Sequence, residues 1–440
     1  METQTSINNK DKSYKRKPGA LKTPFKTMFV ICFIFISFFC GIKRLAADNL
    51  NALRASIGPK DAVLVTNPRG DVKFSKNANI RLVPASILKI LTSLVAIHYL
   101  SPDYRFKTSL YVDKNSNLKV KGYGDPLLTS ESIAEIAARL KGKLNNINDI
   151  ILDDTYFSYP IKVHGVESSP NPYDASNGAL GVNFNTVFFK RGPNGKIVSA
   201  EKQTPLLPIV LGKIKKLGFS RGRIVFSHEG KENTLYTGHM LKYFLVNAGI
   251  RCLGKVKTGI VNESDNLILN YESSLSLKGV IANLLKYSNN YIANQLLLAS
   301  GATAFDPPGT IEKGVTAALK YAREILAIQD VSLVEGSGIS KKNKISAKDM
   351  DIILKAFEPY RHLMRRKDVQ FFKTGTLAGV KTRAGFIEDK KGEFFRFVVL
   401  VNTHRKSTDK IMRNIIRRVI PIRDVDEITS TSTRPGFRSY

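Results

Sequence analysis

Acyl transfer or amide hydrolysis without a metal needs a nucleophile, a base to take its proton, and donors for the charge that develops on the carbonyl oxygen. Histidine is a poor source of that base in this chain. The six histidines (His98, His164, His228, His239, His362 and His404) include no His-Glu-x-x-His and no pair at helical spacing, and Gly-x-Ser-x-Gly is absent. His98 falls in an apolar helix and reads as a core residue. Gly-x-Gly-x-x-Gly and the Walker A pattern are missing too, so nucleotide chemistry has no foothold. A lysine can replace histidine if it loses its charge. Ser86-Ile87-Leu88-Lys89 sets a hydroxyl and an amine one helical turn apart, on one face. Lys89 lies among Ile87, Leu88, Ile90 and Leu91, where burial disfavours the ammonium form. Ser86 opens the helix, where unpaired N–H groups and the dipole favour negative charge.

Context gives this motif its weight. Ser116-Asn-Leu-Lys119, Ser199-Ala-Glu-Lys202 and Ser407-Thr-Asp-Lys410 share the spacing, but only Ser86 opens an apolar helix, read as Pro84–Leu100. Such a helix, hydrophobic on nearly every face, is buried in a core. Ser288-Asn289-Asn290 sits between two apolar helical stretches, LSLKGVIANLLKY and YIANQLLLAS, which pin it near that core. Ser264-Asp-Asn266, with the same pattern, lies in a polar turn. Lys373-Thr374-Gly375-Thr376 follows Phe371-Phe372 and puts a cation and two hydroxyls along a strand. A second Lys257-Thr-Gly259 precedes Ser288 and belongs to a different region.

The elements that must position these groups fall into two textures. Ala62–Thr66, Arg81–Val83, Ala384–Ile387 and Phe394–Val401 read as strands, and Ile411–Val419 as a closing helix. Residues 107–273 have short apolar runs broken by proline and glycine. They hold a hairpin (Thr108–Val112, Leu118–Lys121), a capping box at Ser132-Ile-Ala-Glu135 opening a helix to Leu140, and strands at Asp149–Leu152 and Gly222–Ser227. The division predicted is 1–47 as an N-terminal address, 48–106 plus 274–428 as the catalytic body, 107–273 as an inserted α+β region, and 429–440 as a polar tail.

Ser-x-x-Lys, then Ser-x-Asn, then Lys-Thr-Gly, in that order, resembles the penicillin-binding proteins and serine β-lactamases. More narrowly, the chain resembles the class C low-molecular-mass penicillin-binding proteins, the D-alanyl-D-alanine carboxypeptidase/endopeptidase family. The texts that carry this are Pro84-Ala-Ser-Ile-Leu-Lys89, Gly124-Asp-Pro-Leu-Leu128, Ala179-Leu-Gly-Val-Asn-Phe-Asn185, Lys286-Tyr-Ser-Asn-Asn290, Gly336-Ser-Gly-Ile-Ser340 and Lys373-Thr-Gly-Thr-Leu377. They run from about 50 to 405, and the roughly 200 residues between Ser86 and Ser288 fit that family's large insertion. Two positions depart: Glu335 stands where the pattern has aspartate, and Lys341 where it has arginine. No role is carried over to Glu335.

The resemblance implies an α+β fold: an antiparallel sheet with helices on both faces, carrying the inserted region. It implies catalytic Ser86, Lys89, Ser288 and Asn290, with Ser86 the acylated nucleophile and Lys89 its base. Ser288 would relay a proton to the leaving amine, and Asn290 would orient the substrate amide and Lys89. Lys373, Thr374, Gly375 and Thr376 would bind the peptide's terminal carboxylate, with backbone N–H groups of Ser86 and Thr376 as oxyanion donors. Substrates would be peptidoglycan stem peptides ending in D-Ala-D-Ala, with β-lactams as covalent inhibitors and no cofactor or metal. Two other readings stand beside it. A serine β-lactamase lacks support, because no Glu-x-x-Leu-Asn supplies a deacylating base. A non-catalytic wall-binding or sensor module is disfavoured by the intact reactive set.

Length and composition bound the class of chain, and the N-terminal residues suggest where it goes. Hydrophobic residues make up 43% and charged residues 24% of 440, near the globular average, which excludes disordered and polytopic membrane chains. A basic lead (Lys10 to Lys26) precedes the apolar run Met28–Ile42, followed by Lys43 and Arg44. That is the layout of an export signal, and the run is shorter than the roughly 20 residues of a comfortable span. Cleavage near Ala47 and retention as an anchor remain alternatives. The expected location is the periplasm or the outer face of the cytoplasmic membrane. A net charge of +31 suits contact with membrane headgroups or an anionic wall polymer, or simply a lysine-rich surface; export argues against nucleic acid. Three cysteines, two of them in the apolar run, make no disulfide framework.

Overall fold

Strand β1 (Asp61–Thr66) and strand β2 (Val72–Lys76) come early in the chain, and β3 (Arg365–Lys367), β4 (Gln370–Leu377), β5 (Val380–Glu388) and β6 (Phe394–Val401) come late. They join into one six-stranded sheet of order β3-β4-β5-β6-β1-β2, antiparallel throughout. The computed structural model describes residues 50–420. The apolar run Met28–Ile42, the cleavage point near Ala47 and the tail from Thr429 lie outside the described residues. None of the helices among the described residues is long and apolar enough to cross a membrane.

The central strand explains the sheet. β6 reads Phe-Phe-Arg-Phe-Val-Val-Leu-Val and is buried from Phe395 onward, so both faces must be covered. Ala62, Leu64, Ala384, Phe386, Val398 and Leu400 share one face and belong to the main core. There helix α5 supplies Met350, Ile353 and Leu354. Register puts Phe372 and Arg383 on the opposite face, where they line a cleft together with Met412, Arg413 and Ile416 of α6. The helices are, in chain order, α1 (Lys89–Leu100), α2 (Leu277–Tyr287), α3 (Asn290–Phe305), α4 (Ile311–Glu324), α5 (Ala347–Phe357) and α6 (Asp409–Arg418). Helices thus cover both faces of an antiparallel sheet.

α1 and α3 are the buried pair expected from their composition. α1 buries Lys89 through Ala96, and α3 buries Tyr291 through Ala302. Residues 107–273 form their own sheets. Five strands run in the order Val256–Thr258, Ile150–Asp153, Leu118–Gly122, Lys107–Val112, Asn266–Glu272, and three more in the order Ile197–Ser199, Thr186–Arg191, Arg221–Val225. A second apolar core, from Leu110 to Tyr271, belongs wholly to this region.

Four local expectations are corrected. His98 is not a core residue: it stands exposed in the last turn of α1. Arg81–Val83 is no strand; only Leu82 bridges to Ile345, because Pro84 ends any ladder there. The helix at 130 starts two residues before Ser132, with Thr129 at its N-cap. Glu135 does not reach back to cap it: its carboxylate accepts from Tyr271 Oη (3.1 Å) and pairs with Arg139. The stretch Pro84–Leu100 is two elements, a 3₁₀ turn over Ala85–Leu88 and then α1.

Candidate active site

Ser86 sits in that 3₁₀ turn because the backbone before it is bent. Ala85 has φ +49°, the left-handed region that costs an alanine about 1–3 kcal/mol. Two glycines clamp the bend. Gly338 has φ +81°, and a Cβ there would stand 2.0 Å from the Ala85 carbonyl oxygen. From the other side a Cβ on Gly375 would stand 2.7 Å from the Ser86 nitrogen. Thr382 Oγ1 donates to Pro84 O at 2.7 Å. The Ala85–Ser86 peptide is therefore wedged between the 336–340 turn and β4.

Lys89 opens α1 with no exposure at all. Its Nζ lies 3.0 Å from Ser86 Oγ, 2.8 Å from Asn290 Oδ1 and 2.6 Å from the Ser337 carbonyl. The last two can only accept. A neutral amine that gives its two hydrogens to them has its lone pair left for the Ser86 hydroxyl. Burial, and then the Lys373 charge, hold the Lys89 amine well below the usual lysine range, against the opposing pull of Glu335.

Asn290 is delivered by a helix junction. Ser288 ends α2 in the left-handed conformation (φ 58°, ψ 33°), and Asn289 Oδ1 caps α3 by accepting from Ile292 N at 3.1 Å. Asn290 follows as the first residue of α3, and its Nδ2 donates to Tyr173 O at 3.3 Å, which fixes which end of the amide faces Lys89. Lys373 reaches the same junction from β4. Its Nζ donates to Ser288 Oγ (2.7 Å) and Thr374 O (2.7 Å), and burial brings its amine down to about 8.

Ser86, Lys89, Ser288, Asn290 and Lys373–Thr376 fall in this neighbourhood, though not all touch. Ser86, Lys89 and Asn290 form one hydrogen-bonded set, Ser288 and Lys373 a second, and Gly375 packs on Ser86. Thr374 and Thr376 are exposed; Thr376 Oγ1 accepts from Lys381 at 3.4 Å. β3 pairs only with Gln370–Phe372, so among the described strands nothing flanks Lys373–Leu377 on its outer side. Sequence reasoning missed the Ser337 carbonyl, the Tyr173 carbonyl, Thr382 and Glu335. Backbone carbonyls carry no residue signal. The run Gly336-Ser-Gly338 carries the composition of a tight turn, but composition does not say what the turn would hold.

The model of the D-Ala-D-Ala carboxypeptidase 3 (S13) family matches residues 53–216 and 223–365. The chain belongs to that family. It is a low-molecular-mass penicillin-binding protein, a hydrolase of the serine D-Ala-D-Ala carboxypeptidase type. The match ends before Lys373, so the β4 motif rests on the geometry above. The chain is 24% identical over 419 residues to a D-alanyl-D-alanine carboxypeptidase of Actinomadura sp. (strain R39), covering 78% of this chain and 77% of that one. Among solved structures it is similar to penicillin binding protein 4 (dacB) from Haemophilus influenzae, with TM-score 0.70 at 20% identity over 85% of this chain and 99% of that one. A complex of that Haemophilus influenzae protein with a β-lactam superposes with TM-score 0.66 at 18% identity, over 85% and 99%. The likeness establishes the penicillin-binding fold with its extra region.

Proposed function

We propose that this carboxypeptidase cleaves the terminal D-Ala-D-Ala bond of peptidoglycan stem peptides through an acyl-enzyme on Ser86, and that it also cleaves cross-links as an endopeptidase. The observation that carries the reading is the Lys89 amine, buried, held below its ordinary range, and bonded to two obligate acceptors so that its free electron pair meets Ser86 Oγ at 3.0 Å. A positioned base of this kind is worth about 10² to 10⁴ in rate.

The remaining steps follow from placement. Lys89 takes the Ser86 proton as Oγ attacks the penultimate D-alanine carbonyl. The carbonyl oxygen is received by the N–H groups of Ser86 and Thr376, and loss of one such donor costs about 10²–10³. Ser288, whose oxygen already accepts from Lys373, relays the Ser86 proton. Its hydroxyl hydrogen goes to the leaving D-alanine nitrogen as its oxygen recovers the one Lys89 took, so both side chains return to their starting state. Lys373 with the exposed Thr374 and Thr376 binds the carboxylate, a charge-assisted contact that selects peptides with a free C-terminus. The unflanked stretch of β4 offers main-chain groups to an extended peptide. Water releases the acyl group. β-Lactams present the same carboxylate and acylate the same serine.

The enzyme acts outside the cytoplasmic membrane, as the basic lead and apolar run imply, either free in the periplasm or tethered. The deciding experiment digests purified muropeptides. Loss of terminal D-alanine and of cross-linked dimers, both abolished by Ser86→Ala, is the expected result. Release that survives Ser86→Ala removes Ser86 from the role.

A further inference from the structure

Glu335 is almost fully buried, 1% exposed, yet it lies on no helix or strand and touches none of the motif side chains. Its two oxygens collect donors from three directions. Ser337 N and Ser337 Oγ each donate at 2.6 Å, Gly338 N at 2.7 Å and Ser340 N at 3.3 Å, all from the turn that follows it. Asn343 Nδ2 donates at 2.6 Å, and Asn294 Nδ2, one turn along α3 from Asn290, at 3.4 Å. The carboxylate thus folds the 336–340 turn around itself and ties it to α3. Asn294 Oδ1 completes the tie by accepting from Gly336 N at 2.8 Å, and Thr92 Oγ1 of α1 donates to Gly336 O at 2.6 Å.

That turn is the wall of the reaction centre. It supplies the Ser337 carbonyl to Lys89 at 2.6 Å and the Gly338 backbone that presses on the Ala85–Ser86 peptide. We propose that Glu335 is a positioning residue for acylation: its buried carboxylate sets the Ser337 carbonyl and the Gly338 backbone, and through them the aim of Lys89 and the bend that presents Ser86. This rests on the acyl-enzyme reading above and deepens it.

The carboxylate acts in a second way, by its charge. The charged groups facing Lys89 are Lys373 on β4, which disfavours its ammonium form, and Glu335, which favours it; α3 presents the neutral Asn290 and Asn294. Replacing Glu335 by glutamine removes the favouring charge, so the Lys89 amine loses its proton at lower pH. Acylation requires the unprotonated amine, so its acid limb moves to lower pH. A role confined to folding would leave that limb in place.

The test measures acylation by a fluorescent penicillin across pH on the wild type, Glu335→Gln and Glu335→Asp, with thermal unfolding alongside. In folded Glu335→Gln the acylation rate constant falls about 10²-fold, as for a misplaced catalytic group. The non-covalent dissociation constant changes little, since Glu335 does not touch the ligand, and the acid limb shifts downward. Glu335→Asp keeps the charge, so its limb stays where the wild type has it, while its shorter reach leaves a rate between the two. A folded Glu335→Gln protein with the wild-type rate and limb overturns the proposal. So does a rate loss matched by lost folded protein with an unmoved limb. Should the glutamine variant not fold, a folded Glu335→Asp protein acylated at the wild-type rate overturns it. Mapping the label on the wild type separates the two claims. A label away from Ser86 refutes the acyl-enzyme reading, and a label on Ser86 with unaffected Glu335 variants refutes only this inference.

Discussion

Replacing Lys89 by methionine separates the cost of a buried amine from its use. Methionine keeps most of the apolar stem and deletes the nitrogen that meets Ser86 Oγ at 3.0 Å, Asn290 Oδ1 at 2.8 Å and Ser337 O at 2.6 Å. Losing a positioned base lowers the acylation rate constant by about 10²–10⁴, or roughly 3–5 kcal/mol of transition-state stabilisation at about 1.36 kcal/mol per decade. Stability should move the other way. The folded state presses the Lys89 amine well below its unfolded range, so below the unfolded value the unfolded chain binds the proton more tightly. The group therefore destabilises the fold at neutral pH, and the penalty lifts as pH rises toward the ordinary lysine range. Two orphaned acceptors in the variant, at about 1–3 kcal/mol each, offset part of the gain. Stopped-flow acylation with a chromogenic cephalosporin measures the first effect, and denaturant unfolding at pH 7 and pH 10 the second. Lys89→Met should be acylated at least about 10²-fold more slowly, with its stability relative to wild type higher at pH 7 than at pH 10. Acylation within about threefold of wild type would refute the assignment of Lys89 as base.

Lys373→Met should raise KM for a peptide ending in a free carboxylate far more than for its C-terminal amide; equal effects on both would remove Lys373 from carboxylate binding. Because burial takes the Lys373 amine to about 8 from its ordinary 10.5, that variant should also gain up to about 3 kcal/mol below pH 8, a gain that fades as pH approaches 10. Asp125 is 4% exposed, its Oδ2 has no partner, and burial raises its carboxyl to about 6. A raised carboxyl disfavours the fold only where the unfolded chain ionises first. Asp125→Asn should thus match wild type near pH 3.5, gain from pH 4 to 6, and level off near 3 kcal/mol above; a gain independent of pH would count against a buried ionisable carboxyl there.

How much of this was legible in the sequence follows from what each feature depends on. Lys89 stood out because a cation among Ile87, Leu88, Ile90 and Leu91 contradicts its surroundings unless it works there. The Ser288–Asn290 junction stood out because two apolar helices flank it. Local pattern could not give the bend at Ala85, since nothing in Pro-Ala-Ser demands a positive φ. That bend is imposed by Gly338 and Gly375, which lie more than 250 residues further along the chain. The inserted sheet was foreseen as short strands, but not the pairing of Val256–Thr258 with Ile150–Asp153, which is parallel and distant in sequence. The capping box at Ser132 failed because Glu135 is engaged by Tyr271, a partner contributed from across the fold. Glu335 was visible only as a departure from a family pattern. Its importance lies in six donors, three of them backbone N–H groups that any sequence could supply.

The central claim, that Ser86 is the group acylated, is tested most directly by intact-protein mass spectrometry after exposure to penicillin, followed by peptide mapping. One penicilloyl adduct per chain on the peptide containing Ser86, lost in Ser86→Ala and persisting long enough to isolate, is the predicted result. An adduct on any other residue, or undiminished labelling of the alanine variant, would contradict the account.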